Sequence, residues 1–265
     1  MKMRVVLIAL LVVLLVAVTI ASAAPANAGP APRNVAIVIY EGVEILDFAG
    51  PAEVLAAAGS FASPGGGTAL NVYTVSKSTK PLKSQGFITI VPEYSIENAP
   101  RPDLVVVPGG NSGSITNDPE FFAWVKGAAG RAEATLTVCT GAFVLAKAGY
   151  LDGKEITTWY GAVEKLQKAA PKSTVQAGRR FVDNGRFITT AGVSAGIDGS
   201  LHVVARLFGR AVADQTARYM EYHWTPEPYL ARDYKLLNPS TDEAGRRLQL
   251  AELERTAGDG IAATK

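Results

Sequence analysis

Thr135-Leu136-Thr137-Val138-Cys139-Thr140-Gly141-Ala142-Phe143-Val144-Leu145 is the stretch on which the fold turns. A β-prone run stops at Cys139, and small residues open a predicted helix from Gly141 to Lys147. That order, strand then nucleophile then helix, is the pattern of a nucleophile elbow. Such a turn presents the sulfur at the carboxyl edge of the sheet, where open α/β sheets bind ligands. A helix N-terminus is expected to lower the thiol pKa from its usual ~8.5. The backbone N–H of Thr140 has no helical partner and can face a developing anion. Gly141 allows the close packing that the turn needs. The competing reading is a buried bystander, because free cysteine is among the most buried residue types.

Working outward, Asn34–Tyr40 is a continuous β-branched run, as expected of a strand buried on both faces. Pro51–Ala58 is predicted helical, with Pro51 at its first position. Asp47 then precedes the helix as a cap or loop anchor, or lies against the thiol as a proton-moving carboxyl group. Leu70–Ser76 and Phe87–Val91 are predicted strands, and Leu104–Val107 is a short buried strand ending at Pro108-Gly109-Gly110. Two glycines there can turn backbone N–H groups toward a ligand. Asp118 caps a helix that runs from Pro119 to about Gly127. Ile156–Thr158 is a predicted strand and Gly161–Lys168 a helix. Asp183-Asn184-Gly185-Arg186 is a hairpin turn between two further strands. Helices are expected over Ser194–Phe208, Arg210–Tyr222 and about Asp242–Arg255. Strands alternating with helices predict an α/β three-layer sandwich around a mostly parallel sheet, with a small antiparallel addition.

The chain starts with a basic Met1-Lys2-Met3-Arg4, an apolar run from Val5 to Ala21, and two cleavage patterns, Ala21-Ser22-Ala23 and Ala26-Asn27-Ala28. This describes a secretory signal peptide over residues 1–28 and an exported protein, periplasmic or extracellular. Retained, the same segment would anchor the chain in a membrane. Residues 29–33 read as a linker, 34–230 as one domain and 231–265 as a helical extension. The charge is nearly balanced at +2 and the basic residues are scattered, so nothing points to nucleic acid. One cysteine and two dispersed histidines give no metal-ligand spacing, and no nucleotide fingerprint is present, so no cofactor is expected. An exported protein ordinarily pairs its cysteines, so an unpaired one is worth flagging as reactive.

Three linked segments, ILDFAGPAEVL at 45–55, VVVPGG at 105–110 and VCTGAFVLAKAGYLDGKEITT at 138–158, resemble the ThiJ/PfpI superfamily of class I glutamine amidotransferase-like proteins. TTAGVSAGIDGSLHVVARLFG at 189–209 and the Glu221-Tyr222 and Pro226-Glu227-Pro228 segments extend the likeness over about 34–229. Asp47 in LDFAGP, Cys139 in VCTGA and SAGID at 194–198 are similar to the isonitrile hydratase-like branch. The resemblance implies a flavodoxin-like fold, a homodimer and a small-molecule substrate; the same domain forms the N-terminal half of AraC-type regulators, whose DNA-binding tail is not expected here. It also implies Cys139 as nucleophile, Asp47 as its hydrogen-bonded proton donor and acceptor, and an oxyanion hole made by Gly110 and Thr140. Two other activities are consistent with the superfamily: glyoxalase- or deglycase-like carbonyl scavenging, and a non-catalytic redox or stress-sensing module. The branch carries Thr-Thr-His after the elbow, whereas this chain reads Thr157-Thr158-Trp159-Tyr160. His202 and His223 are expected to be structural.

Overall fold

The computed structural model describes residues 31–225 apart from Pro64. The leader, the Pro226-Glu227-Pro228 segment and the helix expected at 242–255 lie outside the described residues. The strands are β1 (Arg33–Val38), β2 (Leu70–Ser76), β3 (Leu82–Ser84), β4 (Ile88–Ile90), β5 (Tyr94–Ser95), β6 (Leu104–Val107), β7 (Ala134–Thr137), β8 (Glu155–Ile156), β9 (Thr174–Val175), β10 (Phe181–Asn184) and β11 (Phe187–Thr190). The helices are α1 (Ile45–Phe61), α2 (Gly113–Thr116), α3 (Pro119–Arg131), α4 (Ala142–Lys147), α5 (Val163–Ala169), α6 (Ala195–Phe208) and α7 (Arg210–Tyr219).

Seven strands form the central sheet in the order β10-β11-β7-β6-β1-β2-β5. Every pairing in it is parallel except the hairpin β10–β11. Strands β1 and β6 are apolar runs, and their inner residues Val35 to Val38 and Leu104 to Val107 are buried on both faces. That is the pattern of strands covered on both sides. Helices α1, α6 and α7 pack on one another as one group, and α2, α3, α4 and α5 as another. The three-layer α/β sandwich with a small antiparallel addition is therefore the observed architecture.

The chain order reverses between β1 and β6. From β1 it steps to β2 on one side, and then returns to lay β6 on the other. In parallel sheets this reversal opens a crevice at the carboxyl ends of the strands. The elbow after β7, the glycine turn after β6, the start of α1 after β1 and the turn after β11 all meet at that edge.

Several elements differ from expectation. Helix α1 begins at Ile45, so Pro51 lies inside it and Asp47 sits in its first turn rather than ahead of it. Pro51 supplies no N–H to the carbonyl of Asp47 four residues back, a bond any other residue could make. Burial of Val54, Leu55 and Ala58 against the sheet outweighs that loss. Residues 88–90 pair with 82–84 in a separate hairpin and do not join the main sheet. Likewise β8 pairs only with β9, which frees Thr157 and Thr158 to turn inward. Helix α3 passes through Gly127 to Arg131, because Ala128 and Ala129 are core residues. Helix α7 stops at Tyr219, and Glu221 takes a left-handed φ of 50°.

Candidate active site

Cys139 follows the last residue of β7 by two positions and opens a short 3₁₀ turn leading into α4. Its φ is +57°, an uncommon conformation for a residue with a Cβ and one associated with functional turns. Several bonds hold it there. Its N–H donates to Ala191 O at 2.9 Å, and Thr158 Oγ1 donates to its carbonyl at 2.7 Å. Across the turn, a Cβ on Gly141 would overlap the carbonyl oxygen of Val107, so only glycine fits.

The side chain of Asp47 reaches this elbow from α1 and is completely buried. Its Oδ2 accepts the N–H of Gly109 at 2.9 Å, and its Oδ1 accepts that of Val193 at 3.1 Å. Its carboxyl lies beside the Cys139 thiol, near enough for each group to shift the other's ionisation. Gly109 lies between the two groups: a Cβ there would come within 2.7 Å of Asp47 Oδ2 and 2.8 Å of Cys139 Cβ. Beneath them the hydroxyl of Tyr40, also buried, donates to the carbonyls of Pro108 and Gly109, each at 2.7 Å. That bond fixes the glycine turn. Val193 holds its N–H on Asp47 from a φ of +54°, which a β-branched residue rarely adopts.

Burial raises the Asp47 carboxyl to about 7, against the N–H bonds of Gly109 and Val193, and the nearby charge of Glu44 adds to the rise. Burial first, and the Asp47 charge after it, push the Cys139 thiol up to about 12. The N–H and hydroxyl of Thr140 favour the thiolate but do not outweigh those effects. This corrects the expectation of a thiol primed by the helix start. A single turn's worth of peptide dipole is smaller than the cost of ionising sulfur in a dry site beside a carboxylate. The proton that leaves first near neutral pH belongs to the carboxyl group, and the thiol stays protonated.

The expected oxyanion amides also divide. The Thr140 N–H faces the sulfur. The N–H of Gly110 instead donates to Thr140 Oγ1 at 3.0 Å, and that hydroxyl returns a bond to Gly110 O at 3.2 Å. Gly110 has a φ of +110° and bridges Val43, so its amide is spoken for within the fold. Its role here is to position Thr140.

Beside the elbow is a cleft of about 200 Å³ whose walls include Thr158, Trp159, Tyr160, Arg180, Ala191 and Val193. Trp159, where the branch carries histidine, is 37% exposed. The two histidines are elsewhere: His202 Nε2 lies 2.7 Å from Asp183 Oδ2 and its ring packs on Phe181, and His223 is exposed beyond α7. Among the described residues no cluster could hold a metal ion.

Tyr40, Thr158, Arg180, Val193 and Asp198 were not legible as site residues in the sequence. Arg180 binds Asp198 through Nε, at 2.7 Å, and through Nη2. It also donates to Ser194 Oγ at 3.2 Å, while the Tyr222 hydroxyl donates to Asp198 Oδ1 at 3.2 Å. The SAGID motif, whose only visible hint was its resemblance, thus holds the guanidinium that borders the cleft.

Comparison with known proteins agrees with this geometry. The DJ-1/PfpI family model matches residues 33–206. Isonitrile hydratase of Pseudomonas putida is 28% identical over 194 residues, covering 73% of this chain and 80% of that protein. The HTH-type transcriptional regulator GbdR of Pseudomonas aeruginosa is 25% identical over 182 residues, covering 69% of this chain and 48% of the regulator. The crystal structure of a ThiJ/PfpI family protein from Pseudomonas syringae superposes with a TM-score of 0.65 at 25% identity, covering 88% of this chain and 94% of that one.

Proposed function

The chain belongs to the DJ-1/PfpI family, and on that footing we propose that it is a cysteine-dependent enzyme of the isonitrile hydratase type. The observation that carries this is the buried Asp47 carboxyl, held by two backbone N–H groups beside the Cys139 thiol. A thiol that stays protonated at neutral pH needs a base, and a carboxyl at about 7 is matched to that task.

In this reading the sulfur attacks the terminal carbon of R–N≡C while Asp47 takes the thiol proton. Asp47 then gives that proton to the same carbon, leaving a thioimidate, R–N=CH–S–Cys139. The N–H and hydroxyl of Thr140 stabilise negative charge on the sulfur as its proton leaves. Water adds to the thioimidate carbon, with Asp47 as general base. Collapse expels the sulfur, which recovers a proton, and releases R–NH–CHO. The sum is R–NC plus water giving an N-substituted formamide. Trp159 is compatible with this route, because no step needs an imidazole.

The test is turnover of cyclohexyl isonitrile, followed as formamide, by the wild type, Cys139→Ser and Asp47→Asn. Formamide from the wild type and none from either variant supports the reading. Turnover that survives Cys139→Ser removes it. Consumption of methylglyoxal without isonitrile turnover would replace it with carbonyl scavenging. A non-catalytic sensing module is the second reading, favoured by the similarity to a transcriptional regulator and by the unprimed thiol. It predicts ligand binding with neither activity. The basic and apolar leader supports export, which fractionation of expressing cells tests. A homodimer is tested by light scattering.

A further inference from the structure

The cleft beside Cys139 is built around one side chain. Trp159 sits between Gly161 and Gly192, and a Cβ on either glycine would come within 2.6 Å of the indole. The ring is thus held in a slot made by two absent side chains, yet the residue is 37% exposed and lines the cleft. Tyr160 adds a second ring, 5.0 Å from the first between centroids and tilted by 59°. The wall is coupled to the reacting groups at three points. Thr158, next to Trp159, bonds the carbonyl of Cys139, Ala191 O holds the N–H of Cys139, and the N–H of Val193 holds Asp47. On the polar side, the guanidinium of Arg180 is paired with the carboxylate of Asp198, and Arg179 lines the same cleft.

A partly exposed indole, on a wall hydrogen-bonded to the cysteine elbow, favours a flat partner. Aromatic pairs gain about 0.5–1.5 kcal/mol beyond simple burial when rings stack or meet edge to face, which converts to roughly a two- to tenfold preference over a saturated ring of equal size. We propose that Trp159, seated between Gly161 and Gly192, is the specificity-determining residue of this site and selects electrophiles carried on a flat aryl group. The proposal rests on the cysteine-dependent reading for its substrate class, while the cleft and its recognition stand on geometry alone.

A matched pair of probes tests it with the full chain: N-benzylformamide and N-(cyclohexylmethyl)formamide, which differ only in whether the ring is flat. Binding is followed by NMR of the indole N–H groups, with the Trp159 signal identified by its loss in Trp159→Leu. The benzyl compound is expected to bind about two- to tenfold more tightly and to shift the Trp159 signal. In Trp159→Leu, and in Gly192→Ala where the indole is displaced, the ratio of affinities should fall to near one. Equal affinities in the wild type, a preference that survives in Trp159→Leu, or no binding of either probe overturns the proposal. A benzyl preference in a protein that turns over no isonitrile leaves this proposal standing and removes the hydratase reading. Isonitrile turnover with no aryl preference does the reverse.

Discussion

Replacing Asp47 by asparagine separates what this carboxyl does for catalysis from what it costs the fold. Its ionisation moves from the ordinary 3.8 to about 7 on folding, so the folded state holds the proton more tightly than the unfolded chain does. Stability from this group is therefore fully present below 3.8, is lost as the pH rises toward about 7, and levels off above. Between pH 5 and pH 8 only the two units below the folded value count. At ~1.36 kcal/mol per unit, the wild type should lose about 3 kcal/mol from this residue alone. Catalysis runs the other way: kcat/KM should rise about tenfold per pH unit up to about 7 and then flatten, because the base must be ionised. Asp47→Asn abolishes both dependences. Its amide leaves a donor facing the N–H of either Gly109 or Val193, which costs about 1–3 kcal/mol at every pH. Urea denaturation of both proteins at pH 5 and pH 8 gives the double difference, in which every other titrating group cancels. A pH dependence of stability equal in the two proteins within about 1 kcal/mol would refute the assignment of the raised carboxyl to Asp47.

Other expectations follow from the same geometry. Because the thiol is pushed from 9.0 to about 12, iodoacetamide should alkylate Cys139 at pH 8 roughly a thousandfold more slowly than an unperturbed thiol. The rate should still climb tenfold per unit at pH 10, and a plateau below pH 8.5 would show a primed thiolate instead. Thr140→Val removes the hydroxyl shared by Gly110 and the sulfur, so kcat should fall by about 10- to 100-fold with the circular dichroism spectrum unchanged. Arg180→Leu strands the buried Asp198 carboxylate and should cost about 3–5 kcal/mol in urea denaturation. Arg180→Leu combined with Asp198→Leu should recover most of that loss. If the double variant is no more stable than the single one, the ion pair is not the cause.

The parts of this molecule that could be read from the sequence are those fixed by local pattern. The β1 and β6 runs are apolar without alternation, and the strand before Cys139 ends against small residues, so their burial and punctuation are visible directly. Helix α1 misleads because Pro51 mimics a first helical position. The true start is six residues earlier, where Glu44 caps with no side-chain bond and leaves no signal. The local pattern leaves Asp47 as either a cap or the thiol's partner, and the resemblance favours the second. What holds Asp47 is farther still: Val193 lies 146 residues away in sequence, and only the β11 turn brings its N–H to the carboxyl. Charge balance at Arg180 and Asp198 depends equally on the fold, since nothing in either segment marks the other. The direction of the thiol's shift was misjudged for a related reason. A helix start is visible in a sequence, but the dryness of the site and the carboxylate beside the sulfur are not.

The slot that holds Trp159 also constrains the order in which this site can be altered one residue at a time. With alanine at either 161 or 192 the indole has no room, so both glycines must be in place before a tryptophan can be accepted. Once it is seated, neither glycine can gain a side chain without moving the ring. A histidine at 159 would fit the same backbone but leave a gap around the smaller ring. Entry to the tryptophan state is therefore open only after both glycines are in place, in either order, and departure begins with the ring itself.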